Sequence, residues 1–464
     1  MILKNKIFRA YDIRGEAFVD FDEDGFFAIA AAFGEYIKQK YKIKKPKIFV
    51  SGDGRLSMEE LWPATIAGLQ AAGCDSIWGG IVPTPVNSFA FHEGNFDGAM
   101  QISASHNPSS DNGLKLTDKE GAVCGEQIQT IRKMAECTTC RKTSDFGECG
   151  DKCKTNSFEA RYEKKLRSIT SPQTPLEIVV DCGNGVAGIL YPNIFRKFGH
   201  QLIELFCDLD TSFPNHQPDP EEKKNLQDLI LKVQEERADF GFAFDGDGDR
   251  VGIILHNGDI LSADKILYIL AADFLKRNPK EKIVVDAMTS ATLIEKLQKL
   301  SGDVIISPTG HSHIMNKMRE AGALLGGEQS GHEFFGENFY GHDDAMLASL
   351  RFISAIQSAP SLILDVTKRW PSLLEYSEKF PVADEKKFQI LEKVETRLIA
   401  SLTGDMSLKI STLDGVRIDF GKGEWAIIRC SNTSPKISVR IEAQNKESLE
   451  KKKEMIVGPL KKYL

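Results

Sequence analysis

The chain has 464 residues, with 59 Lys and Arg against 66 Asp and Glu, a formal net charge of −7. Charged residues at 27% and hydrophobic ones at 41% describe an ordinary globular composition, long enough for three or four domains of about 100–150 residues each. The negative balance excludes a general nucleic-acid surface. No apolar run reaches transmembrane length, and Met1-Ile2-Leu3-Lys4-Asn5-Lys6 lacks a signal-peptide core, so the expectation is a cytoplasmic protein with no membrane partner.

In chain order, Ile7–Gly15 places Arg9, Tyr11, Asp12 and Arg14 in one short segment, and residues 24–40 carry helical periodicity. Lys47-Ile-Phe-Val50 reads as a buried strand ending at Ser-Gly-Asp-Gly-Arg55, with Ser57 and Glu60 spelling a capping box for the next helix. A strand from Ser76 to Val82 leads to Pro83-Thr84-Pro85 and a further helix. Gly98-Ala-Met-Gln-Ile102 then runs into Ser103-Ala-Ser105-His106-Asn-Pro108, and Asn112-Gly113 precedes a strand carrying Lys115. Small residues let a backbone approach a ligand, and Asn-Pro and Asn-Gly enforce a loop. Ser105 is thereby predicted at the mouth of a buried strand, where nucleophiles commonly sit.

The same grammar recurs. Strands at 176–181 and 282–286 each feed a small-residue loop and a helix. Three strands end at chemistry-bearing loops: 96–103 at Ser105, 238–244 at Asp245-Gly-Asp-Gly-Asp249-Arg250, and 321–327 at Glu328-Gln-Ser330-Gly-His332. These read as three related α/β modules whose strand ends face one cleft. Beyond residue 366 the segments 416–420, 425–428 and 437–441 read as antiparallel strands joined at Gly421-Lys-Gly423, closed by a lysine-rich helix. The predicted fold class is therefore α/β: three related mixed-sheet modules plus a C-terminal α+β domain. The boundaries fall at 1–154, 155–255, 256–366 and 367–464.

The Asp245–Arg250 loop is the most specific signal. Three alternate carboxylates spaced by glycines form an oxygen cage for a hard divalent cation, and Arg250 and His256 rule out an EF-hand. Gly183-Asn-Gly-Val-Ala-Gly188 matches a dinucleotide fingerprint in spelling only, and tight helix–strand packing is the favoured reading. Arg429-Cys-Ser-Asn-Thr433 spells either a polar hairpin or a phosphate clamp. Glu328, Ser330 and His332 suit the vicinal hydroxyls of a sugar, and Thr309-Gly-His311-Ser312 offers a second loop imidazole. The nine cysteines are an odd number, several of them in predicted strands (Cys182, Cys207, Cys430), which suits a reducing compartment. Cys137, Cys140, Cys149 and Cys153 could supply four ligands to a structural zinc. Their spacing is looser than a zinc knuckle, and unligated thiols are expected.

Taken together, Ser103-Ala-Ser-His-Asn-Pro108, the Asp245–Arg250 loop, Gly327-Glu-Gln-Ser-Gly-His332 and Arg429-Cys-Ser-Asn-Thr433 resemble the α-D-phosphohexomutases, over nearly the whole chain and in the same order. The resemblance implies four domains around a central cleft and a phosphoserine at Ser105, which interconverts hexose 1- and 6-phosphates through a bisphosphorylated sugar. It implies Mg²⁺ on Asp245, Asp247, Asp249 and the Ser105 phosphate, and a hexose bisphosphate such as glucose 1,6-bisphosphate as activator. Lys115 and His106 match positions that assist proton transfer, and His311 is similarly placed. Arg250, Tyr11 and Arg14 fit cleft-lining positions, with Arg250 grouped among the catalytic residues. Glu328, Ser330 and His332 match the sugar-reading loop, and Arg429, Ser431, Asn432 and Thr433 match the clamp for the phosphate that is not transferred. The implied partners are small sugar phosphates, and the implied assembly is a monomer or weak homodimer.

Within the family the motifs divide. Phe8-Arg-Ala-Tyr-Asp-Ile-Arg14, Thr309-Gly-His-Ser312 and the Ser-Asn-Thr clamp are similar to the bifunctional phosphomannomutase/phosphoglucomutase group, whereas Ile102–Pro108 and Gly326–His332 look like phosphoglucosamine mutase. The amino terminus and the clamp together favour mannose and glucose phosphates, with phosphoglucosamine mutase as the alternative. Readings from other classes are a sugar-phosphate phosphatase and a non-catalytic sugar-phosphate sensor. One departure stands out: Met288 occupies a position where the bifunctional group carries a lysine.

Overall fold

The computed structural model describes residues 1–137, 157–402, 408–432 and 435–464. The chain divides into two compact units, Met1–Ser262 with Ser330–Ser358, and Ala263–Gln329 with Ala359–Leu464.

The first unit opens with β1 (Ile13–Glu16), α1 (Glu23–Tyr41), β2 (Lys47–Gly52), α2 (Met58–Ala71), β3 (Asp75–Ile81), α3 (Thr84–Glu93), β4 (Gly98–Ile102), β5 (Asp111–Asp118), β6 (Gly121–Ala122) and α4 (Glu126–Glu136). The sheet order is β1-β5-β4-β2-β3, with β6 on β5. β2 runs parallel to β3 and β4, and β5 antiparallel to β1 and β4. The periodicity read over 24–40 becomes α1, whose Asp22 side chain accepts the Gly25 N–H and whose Phe26, Ile29, Phe33 and Ile37 are fully buried. That i, i+3, i+7 stripe is what holds the helix on the sheet. The capping box at Ser57 does not form. Ser57 sits at φ −80°, ψ 5° rather than in the extended conformation a cap needs, and its hydroxyl accepts from Asn112 Nδ2 at 2.9 Å. A tertiary partner has taken the oxygen that the local spelling assigned to the helix.

The second module comprises α5 (Ser157–Ile169), β7 (Glu177–Asp181), α6 (Tyr191–Lys197), β8 (Gln201–Leu205), α7 (Gln227–Glu236), β9 (Phe240–Phe244), β10 (Val251–Leu255) and β11 (Ile260–Leu261), in sheet order β11-β10-β9-β7-β8. β9 and β10 are antiparallel, so residues 245–250 form the turn between two buried strands. After β7 the glycine-rich segment makes only a 3-10 turn, Val186–Ile189, before the seven-residue α6. A Cβ on Gly185 would lie 2.8 Å from the Gly246 carbonyl oxygen, so this segment packs on the 245–250 loop. The close approach read from its glycines is real, but it is made to a neighbouring loop rather than to a helix.

The second unit begins with α8 (Ala263–Arg277), β12 (Lys282–Asp286), α9 (Ala291–Lys299), β13 (Asp303–Ser307), α10 (His311–Ala321) and β14 (Leu325–Gly327), with β12 parallel to both β13 and β14. The chain then returns to the first unit as the antiparallel pair β15 (Glu333–Phe335) and β16 (His342–Asp343) and the almost wholly buried α11 (Ala345–Ser358). The rest belongs to the second unit: α12 (Ser361–Thr367), β17 (Leu374–Pro381), α13 (Asp384–Leu402), β18 (Lys409–Ser411), β19 (Val416–Gly421), β20 (Glu424–Cys430), β21 (Lys436–Ala443) and α14 (Lys446–Lys461). These last strands form an antiparallel sheet in the order β17-β21-β20-β19-β18. Val416, Ile418, Ile428 and Val439 pack under Val394 of α13 and Ile456 of α14. The Gly421-Lys422-Gly423 turn has all three residues at positive φ, which the flanking glycines tolerate and which bends β19 back into β20.

Candidate active site

Four strand-end segments of the first unit converge on one buried group of carboxylates. Asp245, Asp247 and Asp249 are fully buried, with one ligand oxygen from each within 4.8 Å of the others. Their bonding is unequal. Asp245 Oδ1 accepts the backbone N–H groups of Asp249 and Arg250, and its Oδ2 accepts from Arg250 Nε at 3.0 Å and from Ser105 Oγ at 2.8 Å. Asp247 Oδ2 accepts from Thr84 Oγ1, Ser103 Oγ and Lys115 Nζ. Asp247 Oδ1 and Asp249 Oδ1 are buried without a hydrogen bond.

Lys115 is the internal counter-charge, its ammonium 2.6 Å from Asp247 and 2.5 Å from Asp249. Burial alone would disfavour that charge, but the two carboxylates outweigh it and hold Lys115 protonated. For Asp247 burial pushes upward, and Lys115 more than reverses it. Asp249 goes the other way: burial and the neighbouring Asp247 raise its carboxyl above the ordinary range. Three buried carboxylates share one ammonium, from Lys115, and one guanidinium, from Arg250, and the two oxygens lacking donors are suited to a hard cation. The residues present therefore fit a hard divalent cation.

Ser105 is 2% exposed and sits at φ 50°, in the left-handed region. This is a strained position for a non-glycine residue, and surrounding bonds hold it there. Its N–H donates to Ser103 Oγ. The fully buried Arg55 donates to four carbonyls of the loop, those of Ser105, Asn107, Pro108 and Asp111, while its Nε pairs with Asp53. Gln217 Nε2 donates to the carbonyls of His106 and Asn107. His106 Nδ1 lies 3.2 Å from Ser105 Oγ, and burial, with Arg250 and Arg14 nearby, lowers its pKa so that the imidazole stays neutral. Arg14 pairs with buried Asp12 at 2.7 Å and is held protonated by Asp12 and Asp247 against its own burial.

His332 completes this group. Residues 331–332 pair with the start of β10, through the Val251 N–H to the Gly331 carbonyl and a bridge between His332 and Arg250. His332 Nδ1 is thereby 3.5 Å from Asp249 and 2.8 Å from Asp343, the latter presented by β16. A carboxylate on one ring nitrogen orients the imidazole.

In the second unit, the register Val285↔Gly327 sets Asp286 beside Glu328 at two adjacent strand ends. Burial first and Glu328 second push Asp286 up to about 7. Asp414 ties two loops together, accepting from Arg429 Nε at 2.8 Å and from the Thr309 N–H at 2.9 Å, and Asn432 Nδ2 donates to the Thr309 carbonyl. His311 opens α10 immediately after Thr309 and Gly310. Arg417 donates to the carbonyls of Ala287 and Thr289, and Arg440 to that of Met288, fixing the loop after β12.

Comparison with known proteins decides the family. Models of the four domains of phosphoglucomutase/phosphomannomutase match in order: alpha/beta/alpha domain I over residues 5–140, domain II over 157–258, domain III over 262–372 and the C-terminal domain over 378–458. The chain is 37% identical over 460 residues to the phosphomannomutase/phosphoglucomutase of Pseudomonas aeruginosa, covering 99% of this chain and 96% of that one. It is 33% identical over 447 residues to the phosphoglucomutase of Neisseria gonorrhoeae, covering 96% and 94%. The crystal structure of a phosphoglucomutase/phosphomannomutase family protein from Burkholderia thailandensis superposes with a TM-score of 0.88 at 33% identity, covering 99% and 98%. The chain belongs to the phosphoglucomutase/phosphomannomutase family.

As a member of that family it is an enzyme of the phosphotransferase kind, with three mixed-sheet α/β domains and a C-terminal antiparallel-sheet domain. Among the residues singled out in the sequence, the first unit gathers Ser105, His106, Lys115, Asp245, Asp247, Asp249, Arg250, Arg14 and His332 around the carboxylates. Tyr11 lies near enough to Arg14 to act on its charge, and Ser330 is half-buried on the segment leading to His332. The second unit carries Glu328, His311, Arg429, Ser431 and Asn432. There the Ser431 carbonyl accepts from Lys387 at 2.6 Å. Thr433 lies outside the described residues, as do Cys140, Cys149 and Cys153, while Cys137 is exposed with a free thiol.

Several residues of this group carry no chemical signal in the sequence. Arg55 ends the Ser-Gly-Asp-Gly-Arg segment and Thr84 lies within Pro-Thr-Pro, so both were spelled out but carried no chemistry of their own. Ser103 and Gln217 act through backbone and carboxylate contacts that only folding creates. Asp343 had no sequence signal at all.

Proposed function

We propose that this enzyme interconverts hexose 1-phosphates and hexose 6-phosphates, of mannose and glucose in the first place, with Ser105 as the phosphoryl carrier. The observation that carries this reading is the 2.8 Å hydrogen bond from Ser105 Oγ to Asp245, which sets a strained, buried hydroxyl against three carboxylates. A nucleophile beside a hard-cation site favours phosphoryl over acyl transfer.

In the proposed cycle, phosphorylated Ser105 gives its phosphoryl group to a free hydroxyl of the bound sugar monophosphate. The serine O–P bond breaks as the sugar O–P bond forms, and the hydroxyl proton passes to a basic side chain. The bisphosphate reorients, and Ser105 takes the other phosphoryl group back. Mg²⁺ bound by Asp245, Asp247, Asp249 and a phosphate oxygen would offset the charge of the group in flight. The buried, donor-less oxygens of Asp247 and Asp249 support that ligand set. Lys115, His106 and His311 are the groups proposed to move protons. Arg250 holds Asp245 in place, and Arg14 and Tyr11 line the entry to the site. Glu328, Ser330 and His332, the last beside Asp343, are proposed to read sugar hydroxyls. Arg429, Ser431, Asn432 and Thr433 are proposed to hold the phosphate that is not transferred, which the Arg429–Asp414–Thr309 tie supports. A cytoplasmic location belongs to the same proposal, supported by the free thiols of Cys74, Cys124, Cys182, Cys207 and Cys430.

The test is a coupled assay with mannose, glucose and glucosamine 1-phosphates, Mg²⁺ and glucose 1,6-bisphosphate, with free phosphate measured in parallel. The expected outcome is the 6-phosphate isomer of mannose and glucose, with phosphate conserved and the bisphosphate required for full rate. Phosphate release in proportion to turnover would make the protein a phosphatase, and binding without turnover a sensor. A dominant rate on glucosamine 1-phosphate would assign it to the amino sugar.

A further inference from the structure

Two thiols outside the site described above lie in non-bonded contact. Cys182 is the first residue after β7 and Cys207 the second after the neighbouring parallel strand β8, and their sulfurs are 3.4 Å apart. Cys182 is fully buried. Cys207 is half-buried, with its sulfur over the carbonyls of Val180 and Leu205. Backbone bonds lock the two strand ends together, from the Cys182 N–H to the Leu205 carbonyl and from the Asn184 N–H to the Phe206 carbonyl.

Each cysteine roots a loop that braces the catalytic group. The segment starting at Cys182 reaches the metal loop, where the Val186 N–H donates to the Gly246 carbonyl and Gly185 approaches the same oxygen. The segment starting at Cys207 reaches the serine loop. Thr211 Oγ1 donates to the Gly54 carbonyl, Phe213 lies under the Arg55 guanidinium, and Gln217 holds the His106 and Asn107 carbonyls. The two segments are also laced to each other, by Asn184 Nδ2 to the Asp208 carbonyl and by Asn215 to Asn184. Gly188 packs so closely on the Cys207 carbonyl that a Cβ there would stand 1.9 Å from the oxygen.

We propose that Cys182 and Cys207 are a peroxide-oxidisable dithiol whose closure to a disulfide displaces the braces of the serine and metal loops and lowers turnover reversibly. The half-buried Cys207 thiolate attacks a hydroperoxide. A sulfur–oxygen bond forms and the O–O bond breaks, so that sulfur is oxidised to the sulfenic acid and the peroxide is reduced. The Cys182 sulfur then attacks that of Cys207. The S–S bond forms, the S–O bond breaks, and oxygen leaves as water with the Cys182 proton. With hydrogen peroxide the balance is two thiols and one peroxide to one disulfide and two waters. Burial raises the Cys182 thiol, so the more exposed Cys207 is the sulfur that meets the peroxide first. A disulfide needs a sulfur separation of about 2.05 Å, so closure from 3.4 Å brings the two sulfurs about 1.35 Å nearer and pulls on the strand ends that carry them. A packed interior passes such a shift on to whatever rests against it.

The experiment treats full-length, Mg²⁺-supplied enzyme with hydrogen peroxide and maps alkylated peptides by mass spectrometry, while following isomerisation. A peptide linking Cys182 to Cys207 is expected, together with a turnover loss of at least about fivefold that dithiothreitol reverses. Cys207→Ser should keep the starting turnover and lose the peroxide response, and Cys182→Ala should leave Cys207 as an unresolved sulfenic acid. Both thiols still alkylated after peroxide, a linked peptide without loss of turnover, or unchanged inactivation of Cys207→Ser would each overturn the proposal. The mass readout does not depend on the mutase reading, so failure of one is separable from failure of the other.

Discussion

Ser105 donates its hydroxyl to Asp245 across 2.8 Å although 140 residues separate them in the chain. The bond joins the end of β4 to the turn between β9 and β10, so the proposed phosphoryl carrier and the buried carboxylates are one structure. Ser105→Ala removes the oxygen that would carry the phosphoryl group and leaves the carboxylates in place. Turnover is expected to fall by on the order of 10³ or more in the coupled assay, with sugar-phosphate binding retained by calorimetry. Near-normal turnover would remove Ser105 as the carrier.

Lys115 is the ammonium between Asp247 and Asp249. Lys115→Met leaves those buried carboxylates facing each other, at a cost of about 3–5 kcal/mol. Added Mg²⁺ should restore more stability to the variant than to the wild type, because it binds the folded form alone. Melting curves with and without Mg²⁺ read this directly, and an equal Mg²⁺ response in both proteins would contradict it.

Arg55 satisfies four carbonyls of the serine loop from a fully buried position. Arg55→Ala takes this donor from all four, of which Asn107 keeps Gln217 and Pro108 keeps the Asp111 N–H, and strands Asp53, and a loss of about 3–5 kcal/mol is expected in denaturant titrations. Arg55→Lys should recover little of it, since one ammonium cannot reproduce the planar fork.

His342 sets an acid limit on stability. It is 3% exposed, both ring nitrogens lack a hydrogen bond, and burial with the facing His92 pushes it down to about 3, against a smaller pull from Asp343. The unfolded chain binds this proton near pH 6.5, before the folded chain does. Stability is therefore full above that pH and falls as pH drops toward 3, by about 1.4 kcal/mol per unit. His342→Phe should flatten that limb in urea titrations between pH 6.5 and 4. An unchanged slope would show that His342 does not set it.

Met288 follows the buried Asp286 by two residues, with its carbonyl held by Arg440 and its side chain against Trp425 and Ala291. Met288→Lys places a cation in that loop and is expected to change the ratio of rates on glucose, mannose and glucosamine 1-phosphates by about 5–10-fold, the effect of roughly 1 kcal/mol. Identical profiles would show that this position does not read the sugar.

Much of the site was legible because its chemistry is spelled locally. Asp245-Gly-Asp-Gly-Asp249 spells three carboxylates on one turn, and Ser105 stands out because small residues and Asn-Pro leave it nowhere to go but a loop. The capping box at Ser57 misled because a hydroxyl has no memory of its neighbours: Asn112, 55 residues away, competes for it and wins. Asp343 was invisible because its role depends on a cross-strand register with Phe334, which sets it within 2.8 Å of His332.

The sequence by itself determined the strand-and-helix order of the modules, the acidic turn at 245–250, the loop that carries Ser105 and the family, because periodicity and short motifs act over a few residues. Tertiary structure alone decided which groups support them: Arg55 under the serine loop, Lys115 as counter-charge, Asp343 behind His332, and Cys182 against Cys207. These partners lie tens to hundreds of residues apart, and a buried charge or polar group takes its energy from whatever folding brings within about 3 Å.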